Sequence, residues 1–332
     1  FIVRAASLQI IRLHRTLLHV QDTRIRQKRA AGRGNCWSET YVRSTVPYRA
    51  KVLDMVDHPG FGALLTRLLD YRKADIAWLA SASGIPEAEL SSVAGGVPPS
   101  VAQLEGLAAG LGFHTADLLV IAGVPVPESL EPCEPATGHE LEALIRIAMA
   151  LPSDQQARIR ETVEHLPQLP PIRPADPPRT YYRRDGSAGS MHVTMLCANR
   201  NLCSPVAAAK TLARVTGGRV YVAASTLHSI SASRTVLKPA WLAGFATVLG
   251  IPATDLAAIT GIDLPEPPPL DDPPAADMAE LLWVCRRLTT SQIEHLHLEA
   301  KAMLVEVPAN ASDDDWNRIY KRTETWWGAP RQ

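Results

Sequence analysis

Residues 75–96 read DIAWLASASGIPEAELSSVAGG. Ile76, Leu79 and Ala80 fall at helical spacing, and Gly84 can adopt the left-handed backbone that ends a helix abruptly. Ile85 plugs the corner. Pro86 stands where a helix accepts proline, in its first turn. Leu90 and Val93 then point back toward the same core, and Gly95-Gly96 stops the second helix. Two short helices across a glycine-bearing corner describe a helix-turn-helix unit.

The flanking sequence extends this into a five-helix series. Upstream, Phe61, Leu64, Leu65, Leu68 and Leu69 make the apolar stripe of a surface helix. Downstream, Ser100 is a good N-cap for a helix through Val101, Leu104, Leu107, Ala108 and Leu111, closed by Gly112. Thr115 is the expected N-cap of a last helix through Leu118, Leu119 and Ile121, ended by Gly123 and the prolines after it. The spacings L-A-x-x-x-G-I and L-x-x-V-x-x-G, with helices in this order, resemble the Cro/C1-type (XRE-like) helix-turn-helix family. The resemblance implies Leu79, Ala80, Gly84, Leu90 and Val93 as the core of the motif, and double-stranded DNA as the partner. A homodimer is the assembly to test.

The chain then repeats itself. Residues 107–128, LAAGLGFHTADLLVIAGVPVPE, align with 245–266, FATVLGIPATDLAAITGIDLPE, at an offset of 138. Asp117-Leu118 pairs with Asp255-Leu256 there. Leu90 and Val93 match Leu227 and Ile230 at 137, and Leu79-Ala80 match Leu212-Ala213 at 133. The offset grows because TGGRVY replaces the short corner of the first copy. Leu144, Leu151 and Gln155 match Leu281, Leu288 and Gln292, so each copy carries a following helical pair. So long a period signals duplication and not a solenoid. The expected fold is therefore all-α, with two tandem five-helix Cro/C1-like domains, the second degenerate, each followed by a helical pair. A short hairpin beside Gly217-Gly218 is the one place where a strand could form. The whole duplicated pattern resembles actinobacterial XRE-type regulators with long helical extensions.

The expected boundaries are a first domain at 55–130, a helical pair at 131–166, and a proline-rich linker at 167–190. The second domain follows at 191–264, then linker and pair at 265–309 and a tail at 310–332. Six prolines within 167–190 favour a stiff, extended, poorly ordered segment. The tail holds Trp316, Ile319, Tyr320, Trp326 and Trp327, aromatics expected to pack onto a domain. Residues 1–54 read as a basic N-terminal segment, disordered or an over-extended gene reading, since the first methionine is Met55.

Thirty-four Lys/Arg balance thirty-four Asp/Glu, but unevenly: residues 1–51 hold eleven of the first kind and two of the second. Five cysteines form no C-x-x-C pair, which predicts a reduced, cytoplasmic protein. No apolar run approaches the roughly 20 residues of a membrane span. No phosphate loop, H-E-x-x-H or G-x-S-x-G motif is present. His295 and His297 fall on different helix faces, and Cys197 and Cys203 lack histidines at zinc-finger spacing. The expectation is no enzyme, no metal, no cofactor and no identifiable small-molecule ligand.

DNA affinity comes largely from Lys and Arg neutralising phosphates. Residues 58–128 carry three cations against seven carboxylates, with Pro86, Glu87, Ala88 and Glu89 at the reading positions the family resemblance implies and Ser91 and Ser92 further along. Residues 191–266 carry six cations (Arg200, Lys210, Arg214, Arg219, Arg234 and Lys238) against three carboxylates. Their third helix offers Ser225, Thr226, His228 and Ser229. Arg219 precedes that helix and Arg234 and Lys238 follow it, where phosphates would lie. Two readings follow: a sequence-specific DNA-binding transcription regulator, or a helical interaction module that kept the fold and lost DNA.

Overall fold

The computed structural model describes residues 59–134, 138–170, 172, 187–264 and 273–305. These residues form fourteen α-helices and no strand. The expected all-α class holds, and the hairpin beside Gly217-Gly218 is absent. The expectations for residues 1–54 and for the tail lie outside the described residues. No single helix among those described is long and apolar enough to cross a membrane.

The first five helices are α1 Phe61–Arg72, α2 Ile76–Ser83, α3 Glu87–Ala94, α4 Val101–Leu111 and α5 Thr115–Ile121. Local chemistry sets their ends. The Asp75 side chain accepts the Trp78 amide at the start of α2, and Gly84 ends it at φ 70°. Ser100 and Gln103 form a reciprocal capping box on α4. Leu64, Leu65, Leu68, Leu79, Leu90, Val93, Leu104 and Leu107 are buried together. Helix α1 lies directly on the end of α3: a Cβ on Gly62 would stand 2.4 Å from the Val93 carbonyl oxygen, so only glycine fits.

Helices α6 Gly138–Ala148 and α7 Ser153–His165 follow. The stretch expected to be an extended linker is held at its start. The Ile172 amide donates to the Cys133 carbonyl at 2.8 Å, and Gln292 Nε2 to the Pro167 carbonyl at 2.9 Å. It ends early as well, since α8 begins at Ala188.

The second series is α8 Ala188–Thr194, extended by a π-turn at Met195–Asn199, then α9 Pro205–Val215, α10 Ala224–Ser231, α11 Pro239–Leu249 and α12 Ala253–Thr260. A last pair, α13 Pro273–Cys285 and α14 Thr290–Val305, ends the described chain. The correspondence with the first series reaches into α8, where the sequence shows no match. Gly189 meets the Ile230 carbonyl at 2.8 Å from a would-be Cβ, as Gly62 meets Val93. Gly106 and Gly244, 138 apart, likewise press on Ile85 and Val220. Gly62 and Gly189 differ by 127, whereas Arg72 and Arg200, at the ends of α1 and α8, differ by 128. The π-turn accounts for the extra residue, because an i→i+5 turn absorbs one insertion without ending the helix. Lys73 and Asn201 then occupy the same left-handed position, at φ 52° and 54°.

The two series share one core, and their contacts are reciprocal. Helix α1 packs on α12, and α5 packs on α8: first helix against the other series' fifth, in both directions. The helical pairs do the same, with α6 on α14 and α7 on α13. An Arg160–Asp277 ion pair joins α7 to α13. This is the pattern of an isologous interface, realised within one chain.

Candidate nucleic-acid interface

Helix α10 is anchored by Leu227 and Ile230, both buried. The side away from that anchor shows Ser225 and His228 exposed and Ser229 half-buried, while Thr226, one turn before Ile230, is half-buried at the edge of the anchored face. The Ser229 hydroxyl donates to the Ser225 carbonyl at 3.0 Å. The corner before α10 runs from Thr216 to Ala223. It is ordered because Val220 and Val222 are buried and Thr216 Oγ1 accepts the Val220 amide at 3.2 Å. That pinning leaves Gly217, Gly218 and Arg219 at the surface. Arg219 Nε donates to the Thr216 carbonyl at 3.0 Å, which fixes the guanidinium beside the corner. Arg234 and Lys238 are exposed after α10, with Lys238 Nζ 4.9 Å from the centre of the Trp241 ring.

The equivalent helix of the first series, α3, buries Leu90 and Val93 and exposes Glu87, Glu89, Ser91 and Ser92. Gln103 Nε2 donates to Glu89 at 2.9 Å, and the Ser92 hydroxyl donates back to the Ala88 carbonyl at 2.9 Å. Of the remaining motif residues, Leu79 is fully buried, Ala80 half-buried, and Gly84 caps α2.

The structure corrects the charge count. Two of the six cations in 191–266 are committed to ion pairs with other helices, Arg200 fully buried and Arg214 partly so. Arg200 is fully buried and makes a two-pronged pair with Asp117 at 2.9 and 2.8 Å, while donating to the Leu249 carbonyl at 2.5 Å. Asn199 Nδ2 adds a donor to the same carboxylate at 2.8 Å. Arg214 pairs with Glu142 of α6 at 2.8 Å. The exposed basic set is therefore Lys210, Arg219, Arg234 and Lys238.

Arg200–Asp117 has a counterpart. Arg72 makes the same two-pronged contact with Asp255, at 3.2 and 2.6 Å. The arginines end α1 and α8, and the aspartates stand in the first turns of α5 and α12, where carboxylates favour the helix dipole. Two equivalent ion pairs thus lock the reciprocal contacts. Around the first lies a polar cluster that sequence reasoning missed. The His114 ring stacks on Trp283 with centroids 3.6 Å apart, and the Arg286 and Arg200 guanidiniums lie 3.7 and 4.8 Å from the same indole. The repeat already paired Asp117 with Asp255, but nothing marked their arginine partners.

Burial, followed by the Arg200 charge, pulls the His114 pKa from 6.5 down to about 4. Burial does the same to His192, whose Nδ1 meets the Ala188 carbonyl at 2.6 Å. Both rings stay neutral in the fold at pH values where the unfolded chain protonates them. Stability from these two groups is therefore complete above about pH 6.5 and falls as pH drops toward about 4. Urea midpoints measured between pH 7 and pH 5 should decline, and His114→Gln should flatten the decline. An unchanged slope in that variant would show that His114 is not held neutral.

Among the described residues no group of three or more His, Cys, Asp or Glu converges as a metal site. Cys133, Cys197, Cys203 and Cys285 are free thiols. No protein-family model, no curated protein and no solved structure matches the chain.

Proposed function

We propose that this chain is a sequence-specific DNA-binding transcription regulator of the XRE type, built from two tandem Cro/C1-like helix-turn-helix domains. One observation carries the reading. Helix α10 turns Ser225, His228 and Ser229 away from its buried anchors, with half-buried Thr226 at the edge one turn before Ile230, between exposed cations at Arg219, Arg234 and Lys238. Short hydrogen-bonding side chains suit base edges, and flanking cations suit phosphates. Helix α3, with Glu87 and Glu89 exposed, is the poorer partner for a polyanion.

The test is a mobility-shift titration of the chain against genomic fragments at several salt concentrations. Arg234→Ala and Arg219→Ala should each weaken binding to all sequences alike and lower the salt slope by about one. His228→Ala and Ser229→Ala should instead change sequence preference. Glu87→Ala should leave affinity equal or raise it. Abolished binding in Glu87→Ala with no effect of the arginine changes would reverse the assignment of the reading helix.

The alternative is a helical interaction module without DNA binding. It is favoured by the acidic exposed face of α3, where Glu89 is already engaged by Gln103. Absence of any shift at low salt would select it.

A further inference from the structure

We infer that a single chain is the complete DNA-reading unit, and that it reads a duplex site lacking two-fold symmetry through α10 alone. The inference rests on the DNA reading above and specifies the form of its partner.

The first half of the argument is that the pairing surfaces are already used. In a two-subunit assembly, an isologous interface places residue i of one subunit on residue j of the other, and j on i. Here that exchange occurs inside the chain. Arg72 of α1 grips Asp255 of α12, and Arg200 of α8 grips Asp117 of α5. The helical pairs interlock in the same crossed fashion. Asp117 and Arg200 are fully buried by this contact, and Asp255 nearly so. A second chain cannot dock on these faces without displacing the first chain's own helices.

The second half is that the two members of the pair are no longer alike. The operation that exchanges the ion pairs also exchanges α3 with α10, yet the helices differ at three of the four candidate reading positions of α10, where Ala88, Glu89 and Ser91 stand against Ser225, Thr226 and His228, and agree only at Ser92 and Ser229. Glu87 and Glu89 stand exposed on one, and Ser225 and His228 on the other. The corner before α3 spans three residues, from Gly84 to Pro86, and the one before α10 spans eight. The surroundings differ too. Helix α6 packs on α9 through Arg214–Glu142, and Thr211 is fully buried. The equivalent positions on α2 are Ser81 and Trp78, and both are exposed. A palindromic duplex offers two identical half-sites about 34 Å apart. This pair presents two unlike faces, so one half-site is read and the other is not.

The experiment combines sedimentation of the full chain, free and with DNA, with selection of bound sequences from a random duplex library at low salt. The expected result is a single-chain mass, one chain per duplex, and an enriched motif without inverted symmetry. His228→Ala should alter that motif, and Glu87→Ala should not. An enriched motif of two inverted half-sites, or two chains per duplex, overturns the inference while leaving DNA binding standing. No enriched sequence and no salt-dependent binding overturns the DNA reading itself, and this inference with it.

Discussion

Asp117→Ala should lower unfolding stability by about 3–5 kcal/mol, the cost of stranding a buried charge. Arg200 has no exposed side-chain surface, and its Nε already lacks a protein partner. Removing the carboxylate leaves the guanidinium with the Leu249 carbonyl and the Trp283 ring, neither of which neutralises it. Domains of ordinary size are stable by about 5–15 kcal/mol, so much of the margin would go. The counterpart Asp255→Ala should cost less, because Arg72 is 24% exposed and can turn to water. Replacing both partners, as in Asp117→Ala with Arg200→Met, should recover most of the loss, since the ion pair's own net contribution is small. Urea midpoints of the four proteins decide this. Equal costs for Asp117→Ala and Asp255→Ala, or no recovery in the double variant, would mean that the buried charge is not the source.

Leu90→Ala should cost about 2–5 kcal/mol by the usual arithmetic of a buried leucine cut to alanine. Leu90 is fully buried on α3, which packs on α1 and α2, and Leu227 holds the equivalent place at 2% exposure. Leu227→Ala should therefore cost a similar amount. Because the two series share one core, both variants should melt in a single shifted transition, with no separate step for the damaged half. Melting curves matching the unsubstituted protein would remove Leu90 from the core and the helix-turn-helix reading of 75–96 with it.

Those two leucines were legible from sequence because their environment is local. A period of 3.6, a cap and a closing glycine are written within a dozen residues. The stripe Phe61–Leu69 and the expected helix from Val101 to Leu111 fall in observed helices for that reason, while the last helix is capped by His114 and not by Thr115. The duplication was legible wherever the offset stays constant over a whole helix. It faded in α8 because the π-turn moves the register by one residue in mid-helix, which scrambles the match on either side. The charges were the least legible. Arg200 and Arg219 look alike in a sequence, yet one is fully buried and the other lies on the surface. Telling them apart requires knowing that α5 and α8 meet, a contact between residues about eighty positions apart. Trp283 and Arg286 stand three residues apart, but His114 comes from a distant place, and no spacing rule brings it to them.

The crossed contacts between the halves have a consequence for inheritance. In an assembly of two identical chains every substitution is written twice, so a change that helps one side and harms the other is lost. Here each codon reaches one side only. The ion pairs Arg72–Asp255 and Arg200–Asp117 share one chemistry, while residues 58–128 carry three cations against seven carboxylates and residues 191–266 six against three. The covalent tether also fixes the local concentration of one half around the other, at the millimolar order typical of short linkers. Diluting the protein therefore does not part the halves, and each remains free to specialise without losing its companion.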